Sequence, residues 1–202
     1  MRLSILLATI TLALVGAGSA VSQTWRIGDD QTFPTDITTL PVQRQQAILT
    51  GLKPSLSKLA KEADMDSAEI AQAEKNLLVG EVSTLSGKLL LVQGSGSYLC
   101  GNAAGGNCTF WALGDHNRLL LAGRASELTI LKSSRFGKPS ILTSLHDSAW
   151  DSTLVWYRFD GSRYRASACA TKSYFKRAFI DPHARPRIEY FPCKVYRNNP
   201  SG

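Results

Sequence analysis

Short apolar runs separated by turn residues fill the middle of this chain and restrict its fold more than any other feature. Between residues 78 and 170 the runs are too short for ordinary helices. Turn-forming residues such as Gly, Asn, Asp and Pro separate the runs, as at Ser86-Gly87 and at Phe136-Gly137-Lys138-Pro139. Short strands with frequent turns are typical of antiparallel sheets. We therefore predict a mainly β fold, an antiparallel sandwich or barrel-like sheet, over residues 78–170.

The clearest hairpin in this region joins Leu154–Phe159 to Ser162–Ala168. Asp160-Gly161 lies between these two runs. Asp-Gly tolerates the positive φ angles of a type I′ turn, so we expect a tight two-residue connection there.

The residues before the β region read as a helical appendage over 41–77, preceded by a loose leader over 21–40. Pro41 is a favourable residue for a first helical turn, and a stripe at helical spacing follows it: Val42, Gln46, Leu49 and Leu52. Gly51 and Pro54 predict a break, with a second short helix after it. A third helix should begin with a capping box formed by Asp66 and Glu69.

The N-terminus has the three parts of a secretory signal. Met1-Arg2 is positively charged, Leu3–Val15 is almost wholly apolar, and small residues lead up to Ala20. This pattern predicts a signal peptide over 1–20 with cleavage after Ala20. The run is shorter than the ~20 residues of a membrane span, and no long apolar run follows it. We therefore expect a secreted or periplasmic protein with no membrane span after cleavage.

Four cysteines follow the predicted signal: Cys100, Cys108, Cys169 and Cys193. An even number in an oxidising compartment predicts two disulfides, for which three connectivities are possible. Short loops close at a lower entropic cost, so we expect Cys100–Cys108 and Cys169–Cys193. The second bridge would staple a basic, aromatic tail over 171–202 to the β domain.

The net charge of +7 is concentrated in the last quarter of the chain. Residues 151–202 carry ten basic and four acidic side chains, whereas residues 21–80 carry six and eight. A basic face on an exported protein suits an anionic lipid, a cell-wall polymer or an acidic protein, but we favour a solvated surface that aids solubility. Export makes nucleic acid an improbable partner of the tail, whose aromatic residues are better explained by packing.

The catalytic and metal motifs that we sought are missing from the sequence. The His146-Asp147 pair resembles an oriented general base, but adjacent strand residues point to opposite faces and no nucleophile elbow accompanies them. There is no Cys-x-x-Cys, zincin or P-loop motif, and we expect no cofactor. We retain Trp150, His146 and Asp147 as candidate binding residues. Trp111 and Trp156 lie in apolar runs, which favours core positions for both.

Two patterns resemble a group of exported proteins of soil bacteria such as acidobacteria. One is Gly106-Asn107-Cys108-x-x-Trp111, and the other is Tyr157-x-Phe159-Asp160-Gly161-x-x-Tyr164. The resemblance covers roughly residues 77–170, and the group usually has Thr-Gly-Asn-Cys where this chain has Gly-Gly-Asn-Cys. It implies a disulfide-stapled β domain in a bacterial envelope and implies no reaction.

Three functions therefore compete at this point. We favour an exported, non-enzymatic binding or envelope-associated module that contacts a protein or a cell-wall component. An envelope hydrolase without a recognisable motif would need a cleft that joins His146 to an acid. An inhibitor of an extracellular enzyme such as lysozyme is disfavoured, because the +6 charge of residues 151–202 would repel a basic enzyme.

Overall fold

The computed structural model describes residues 35–101, 106–174 and 185–194. The predicted signal peptide, its cleavage site and residues 21–34 lie outside this part of the chain. Two α-helices precede most of the strands, α1 (Val42–Glu62) and α2 (Ser67–Lys75). The strands are β1 (Thr35–Asp36), β2 (Leu77–Thr84), β3 (Gly87–Gly94), β4 (Cys108–Leu113), β5 (Leu119–Ala125), β6 (Glu127–Arg135), β7 (Lys138–His146), β8 (Asp151–Phe159), β9 (Tyr164–Ser173) and β10 (Arg187–Phe191).

The strands form two antiparallel five-stranded sheets, as expected for a β sandwich. Sheet A has the order β1-β2-β3-β4-β5, and sheet B has the order β10-β9-β8-β7-β6. Antiparallel pairing places the β2–β3 and β4–β5 turns at one end of sheet A, and the β6–β7 and β8–β9 turns at one end of sheet B. These two ends coincide, because the Ser86 N–H in the β2–β3 turn donates to the Gly137 carbonyl in the β6–β7 turn at 3.3 Å. The chain passes directly from β5 in sheet A to β6 in sheet B, where the Ser126 backbone N–H donates to the Ser144 carbonyl at 2.8 Å.

Sheet A is covered on both faces. One face packs against sheet B through a core that includes Phe110, Leu91, Val155 and Ile141. The other face packs against the helices, and Trp111 is fully buried there. Because both faces of sheet A are packed, all six residues of β4 are buried. In an antiparallel strand with one face in water, buried and exposed residues would alternate.

The helical segment departs from the prediction in two respects. We expected a break near Gly51 and Pro54, but α1 is a single helix with the exposed Pro54 inside it. Apolar residues on both sides of the proline face sheet A at four-residue spacing: Ile48, Leu52, Leu56 and Ala60. Their burial outweighs the one backbone hydrogen bond that proline removes. Val42, which we placed on the apolar stripe, is 65% exposed.

Gly51 allows α1 to lie directly on the β4–β5 turn. A Cβ atom at this position would lie 2.2 Å from the Asn117 carbonyl oxygen, a backbone atom that cannot move aside. Gly51, at which we expected a helix break, is therefore the position where α1 packs closely on this turn. The capping box of α2 is present as expected, because Glu69 N–H donates to Asp66 and Asp66 N–H donates to Glu69, both at 2.9 Å.

Both ends of the chain contribute more structure than the sequence indicated. The described part of the leader, residues 35–40, pairs with β2 and buries Ile37. In the tail, β10 adds an edge strand to sheet B with a register of five residue pairs against β9. Phe175 and Phe179, two of the tail's aromatic residues for which we expected packing, lie outside the described residues.

The two predicted disulfides are formed. Cys100 is bonded to Cys108, and Cys169 is bonded to Cys193. Cys169 lies in the core between the sheets and is 1% exposed, so its bridge fastens the end of β10 to buried structure. None of the helices in the described part of the chain is long and apolar enough to cross a membrane.

The β8–β9 turn is wider than predicted. Phe159 pairs with Tyr164, so the connection holds four residues, and only Gly161 among them has a positive φ. The Asp160 carboxylate accepts the backbone N–H groups of Ser162 at 2.8 Å and Arg163 at 2.9 Å. This side-chain cap replaces the type I′ turn, because Asp can close a turn through its own carboxylate.

We expect the stabilising effect of Asp160 to depend on pH. The Arg163 and Ser162 N–H groups and the Arg165 guanidinium hold the pKa of its carboxyl well below the ordinary value of 3.8. A lowered pKa in the folded state means that the stabilisation is complete above pH 3.8 and is lost as the pH falls through the folded pKa. Urea unfolding of wild type and Asp160→Asn should therefore differ most near neutral pH and converge in acid. A difference that is independent of pH would contradict this assignment.

Candidate functional site

The outer face of sheet B, which points away from sheet A, carries aromatic and cationic side chains, several of which are exposed. Side chains alternate along a strand, so Val155 and Tyr157 enter the core while Leu154, Trp156 and Arg158 point outward. The register of sheet B aligns these outward positions across strands. We call the surface formed by Trp156, Lys172, Tyr174, Ile188 and Tyr190 the aromatic face.

The register explains how distant residues meet on this face. Leu154 lies opposite Ala170, which in turn lies opposite Tyr190. Trp156 on β8 lies opposite Ala168, which is on β9 like Ala170. The small alanines of β9 leave room for the larger rings of β8 and β10 to lean together over them.

The central feature of the aromatic face is a stacked pair of rings. The ring centroids of Trp156 and Tyr190 are 6.0 Å apart, and their planes are inclined by 28°. Such an offset arrangement is favourable for aromatic rings. Tyr190 is nevertheless 72% exposed and its strand neighbour Ile188 is 46% exposed, so both leave apolar surface in contact with water. Exposed apolar surface of this kind marks a binding surface more often than an isolated exposed side chain does.

Basic side chains border the rings. The Lys172 ammonium lies 4.9 Å from the centre of the Tyr174 ring, within the range of a cation–π contact. Arg158 and Arg165 occupy opposite outward positions of β8 and β9, and Arg165 is ion-paired with Asp160. Lys172 and Arg158 remain available to an anionic group, since their described contacts include no ion pair.

His146 lies in the same outward row as Lys172, because it pairs with Ser152 and Ser152 pairs with Lys172. It is exposed, and its described hydrogen bonds use the backbone only. The Asn107 amide donates to the His146 carbonyl at 2.8 Å and accepts the His146 N–H at 3.0 Å. This two-point contact fastens the disulfide loop of Cys108 to the start of the β7–β8 connection.

The other polar residues of this connection build the loop. The Asp147 carboxylate accepts the Thr153 hydroxyl at 2.7 Å. The Ser148 hydroxyl donates to the Asp151 carboxylate at 3.0 Å and accepts the N–H groups of Trp150 and Asp151. Within the described residues, no hydrogen bond joins the His146 imidazole to an acid or to a serine hydroxyl. The contacts required of a His-Asp-Ser arrangement are therefore used for structure.

The tryptophans divide between core and surface differently from the prediction. Trp111 is buried, as expected. Trp156 was expected in the core, but it lies on the outer face of sheet B and is half-buried, because its neighbours Val155 and Tyr157 take the inward positions. Trp150 is half-buried in the β7–β8 connection, and its carbonyl accepts the Tyr174 N–H at 2.8 Å. That hydrogen bond places the candidate Trp150 beside the end of the aromatic face.

Sequence reasoning missed Tyr190, Ile188 and Lys172. A usable signal is present in the alternation of charged and apolar residues from Arg187 to Tyr190, which predicts a strand with one apolar face. Pro182, Pro186 and Pro192 argue against a long helix in the tail but are compatible with a short strand between two of them. The described residues contain no cluster of His, Cys, Asp or Glu suited to a metal ion.

Comparison with known proteins adds nothing to this geometry. No protein-family model, curated protein or solved structure matches the chain. Function is therefore inferred from the surface chemistry of the two sheets.

Proposed function

We propose that this chain is an exported, non-enzymatic binding module of the bacterial envelope, and that its aromatic face binds an acidic wall polysaccharide. The observation that carries the proposal is the Trp156–Tyr190 stack on the outer face of sheet B, with Tyr190 72% exposed. The predicted signal peptide supports export to the periplasm or the exterior, and the two disulfides fit an oxidising compartment.

The chemistry of the face favours an acidic sugar polymer. A sugar ring has flat apolar faces that pack on aromatic rings, and a regular sheet surface accommodates an extended polymer. Lys172 and Arg158 point outward beside the rings and can contact carboxylate or phosphate groups on neighbouring sugars. A protein ligand would use the same anchors, but a row of rings beside separate cations matches the repeating units of an acidic polysaccharide better.

The hydrolase hypothesis receives no support from the contacts around His146. That hypothesis required a cleft in which an acid orients the imidazole. Asp147 is instead hydrogen-bonded to Thr153, and Ser148 is hydrogen-bonded to Asp151.

Binding of a soluble polyuronate tests the proposal. We expect the oxidised protein to bind the polyuronate and to bind a neutral glucan more weakly, with a change in tryptophan fluorescence on binding. Tyr190→Ala should weaken binding at least about tenfold, because exposed aromatic anchors dominate such surfaces. Tyr98→Ala is a matched control, since Tyr98 is 39% exposed but lies in the β3–β4 connection of sheet A.

A second variant separates stacking from charge. Lys172→Gln should weaken binding of the polyuronate and leave the weak binding of the neutral glucan unchanged. The proposal is wrong if the wild-type protein does not distinguish the two polymers, or if Tyr190→Ala binds the polyuronate as the wild type does.

A further inference from the structure

Two hairpin tips from different sheets meet at the end of the sandwich where the tight turns lie. Thr84 pairs with Gly87 in sheet A, which leaves Leu85-Ser86 as a two-residue tip. Arg135 pairs with Lys138 in sheet B, which leaves Phe136-Gly137. We call Leu85-Ser86 and Phe136-Gly137 together the paired tips.

The paired tips touch through their backbones. The Ser86 N–H donates to the Gly137 carbonyl at 3.3 Å. A Cβ atom at Gly137 would lie 2.5 Å from the Ser86 Cβ, and Gly137 has a φ of 76°, so glycine is required on both grounds. This contact fixes the position of each tip relative to the other.

Each tip presents an apolar side chain to water. Leu85 is 90% exposed and Phe136 is 57% exposed. Leu85 is almost wholly in water, and Phe136 keeps more than half of its surface in water while the Arg135 guanidinium lies 5.1 Å from the centre of its ring. Apolar residues at two adjoining tips form a protrusion, which differs from a scattered exposed residue.

Phe136 also occupies an unfavourable backbone conformation. Its φ is 52° and that of Gly137 is 76°, so both central residues have the positive φ of a type I′ turn. Asn or Gly adopts this conformation at lower cost than a bulky aromatic residue does. An exposed phenylalanine in this strained conformation adds little to the stability of the fold. We therefore infer that its side chain contacts a partner of this protein.

The surroundings of the paired tips are cationic. Residues 84–88, 114–118, 135–138 and 159–165 form the four turns at this end, and they hold six basic and two acidic side chains, a net charge of +4. Lys88 is ion-paired with Glu81, Arg165 is ion-paired with Asp160, and the buried Lys138 lies 4.0 Å from Asp115. The exposed basic residues whose described contacts include no ion pair are Arg118, Arg135 and Arg163. Apolar protrusions within a positive ring are complementary to the surface of an anionic bilayer.

We propose that the paired tips dock this protein on an anionic lipid surface, with Leu85 and Phe136 entering the interface and the surrounding basic residues contacting headgroups. A bilayer accepts two separate protrusions without a matching pocket, whereas a protein partner would have to provide one. This surface is distinct from the aromatic face, which lies on the outer side of sheet B.

Co-sedimentation of the oxidised protein with vesicles tests the inference. We expect binding to mixed phosphatidylcholine–phosphatidylglycerol vesicles and at least about tenfold weaker binding to phosphatidylcholine alone. The double variant Leu85→Ser, Phe136→Asn should lose at least about tenfold in affinity for the anionic vesicles. Val42→Ser is the matched control, because Val42 is 65% exposed at the start of α1 and should not contribute.

The single variant Phe136→Asn distinguishes docking from folding. Asn-Gly is the preferred type I′ pair, so this variant should melt at the same or a higher temperature than the wild type while it binds vesicles more weakly. Its polyuronate binding should be unchanged, which keeps this test separate from that of the aromatic face. The inference is overturned if wild type fails to prefer anionic vesicles. It is also overturned if Phe136→Asn binds them undiminished, since the basic residues alone would then account for binding.

Discussion

The Trp111→Ala variant should lose about 3–5 kcal/mol of the free energy of unfolding, one of the largest effects expected from a single substitution in this protein. Trp111 is fully buried on the face of sheet A that packs against the helices. Removing its ring leaves a cavity that α1 cannot fill without breaking its other contacts with the sheet. Urea denaturation with a two-state analysis measures the loss. A value below about 1.5 kcal/mol would contradict the central position assigned to this ring.

A double-mutant cycle separates packing from hydrogen bonding at this site. The Trp111 indole N–H donates to the Ser55 hydroxyl at 2.7 Å, which joins sheet A to α1. Trp111→Phe removes the donor and keeps much of the ring, while Ser55→Ala removes the acceptor. We expect a coupling energy of about 0.5–1.5 kcal/mol between the two substitutions. Additive losses would show that the hydrogen bond contributes little.

The fold class was predictable because local signals agree with it at nearly every strand. Most of β2 to β9 falls within the predicted β region, residues 78–170, and the turn residues Ser86-Gly87 and Phe136-Gly137 lie at the β2–β3 and β6–β7 turns. Turn residues and apolar alternation act over a few positions, so they are visible in a single sequence. The disulfide pairing was predictable for a related reason, since each pair closes the shorter available loop.

The turn types were less predictable because they depend on side-chain capping. Asp160-Gly161 suggested a type I′ turn, but the Asp160 carboxylate closes a longer one. Both central residues have a positive φ at Phe136-Gly137, where glycine favours that conformation but phenylalanine does not. Likewise, Pro54 predicts a helix break from local preference alone, but α1 continues through it because the helix packs on sheet A. In each case a contact formed by the folded chain outweighs the local preference.

The candidate site was not predictable from the sequence. Trp156 and Tyr190 are far apart in the chain and meet only because β9 lies between β8 and β10 in the correct register. Shifting that register by one residue would turn Tyr190 into the core and Phe191 outward. The sequence indicated a basic and aromatic tail, but it did not show that the tail forms a strand.

The bridge between Cys169 and Cys193 should contribute more stability than the bridge between Cys100 and Cys108. The two bridges span sequence separations of 24 and 8 residues. Loop entropy in the unfolded chain predicts about 3.5 kcal/mol for the longer loop and about 2.5 kcal/mol for the shorter one. The longer bridge also holds β10, an edge strand whose partly buried Phe191 packs on the core next to Cys169.

Alanine substitution of both cysteines in each bridge measures the difference, because alanine adds no hydroxyl to the buried position of Cys169. We expect the Cys169→Ala, Cys193→Ala double variant to unfold at lower urea concentration than the Cys100→Ala, Cys108→Ala double variant. Since β10 provides Tyr190, loss of the longer bridge should also weaken polyuronate binding, whereas loss of the shorter bridge should not. A larger stability loss in the shorter loop would contradict the entropic argument. Non-reduced peptides that join residue 100 or 108 to residue 169 or 193 would contradict the pairing itself.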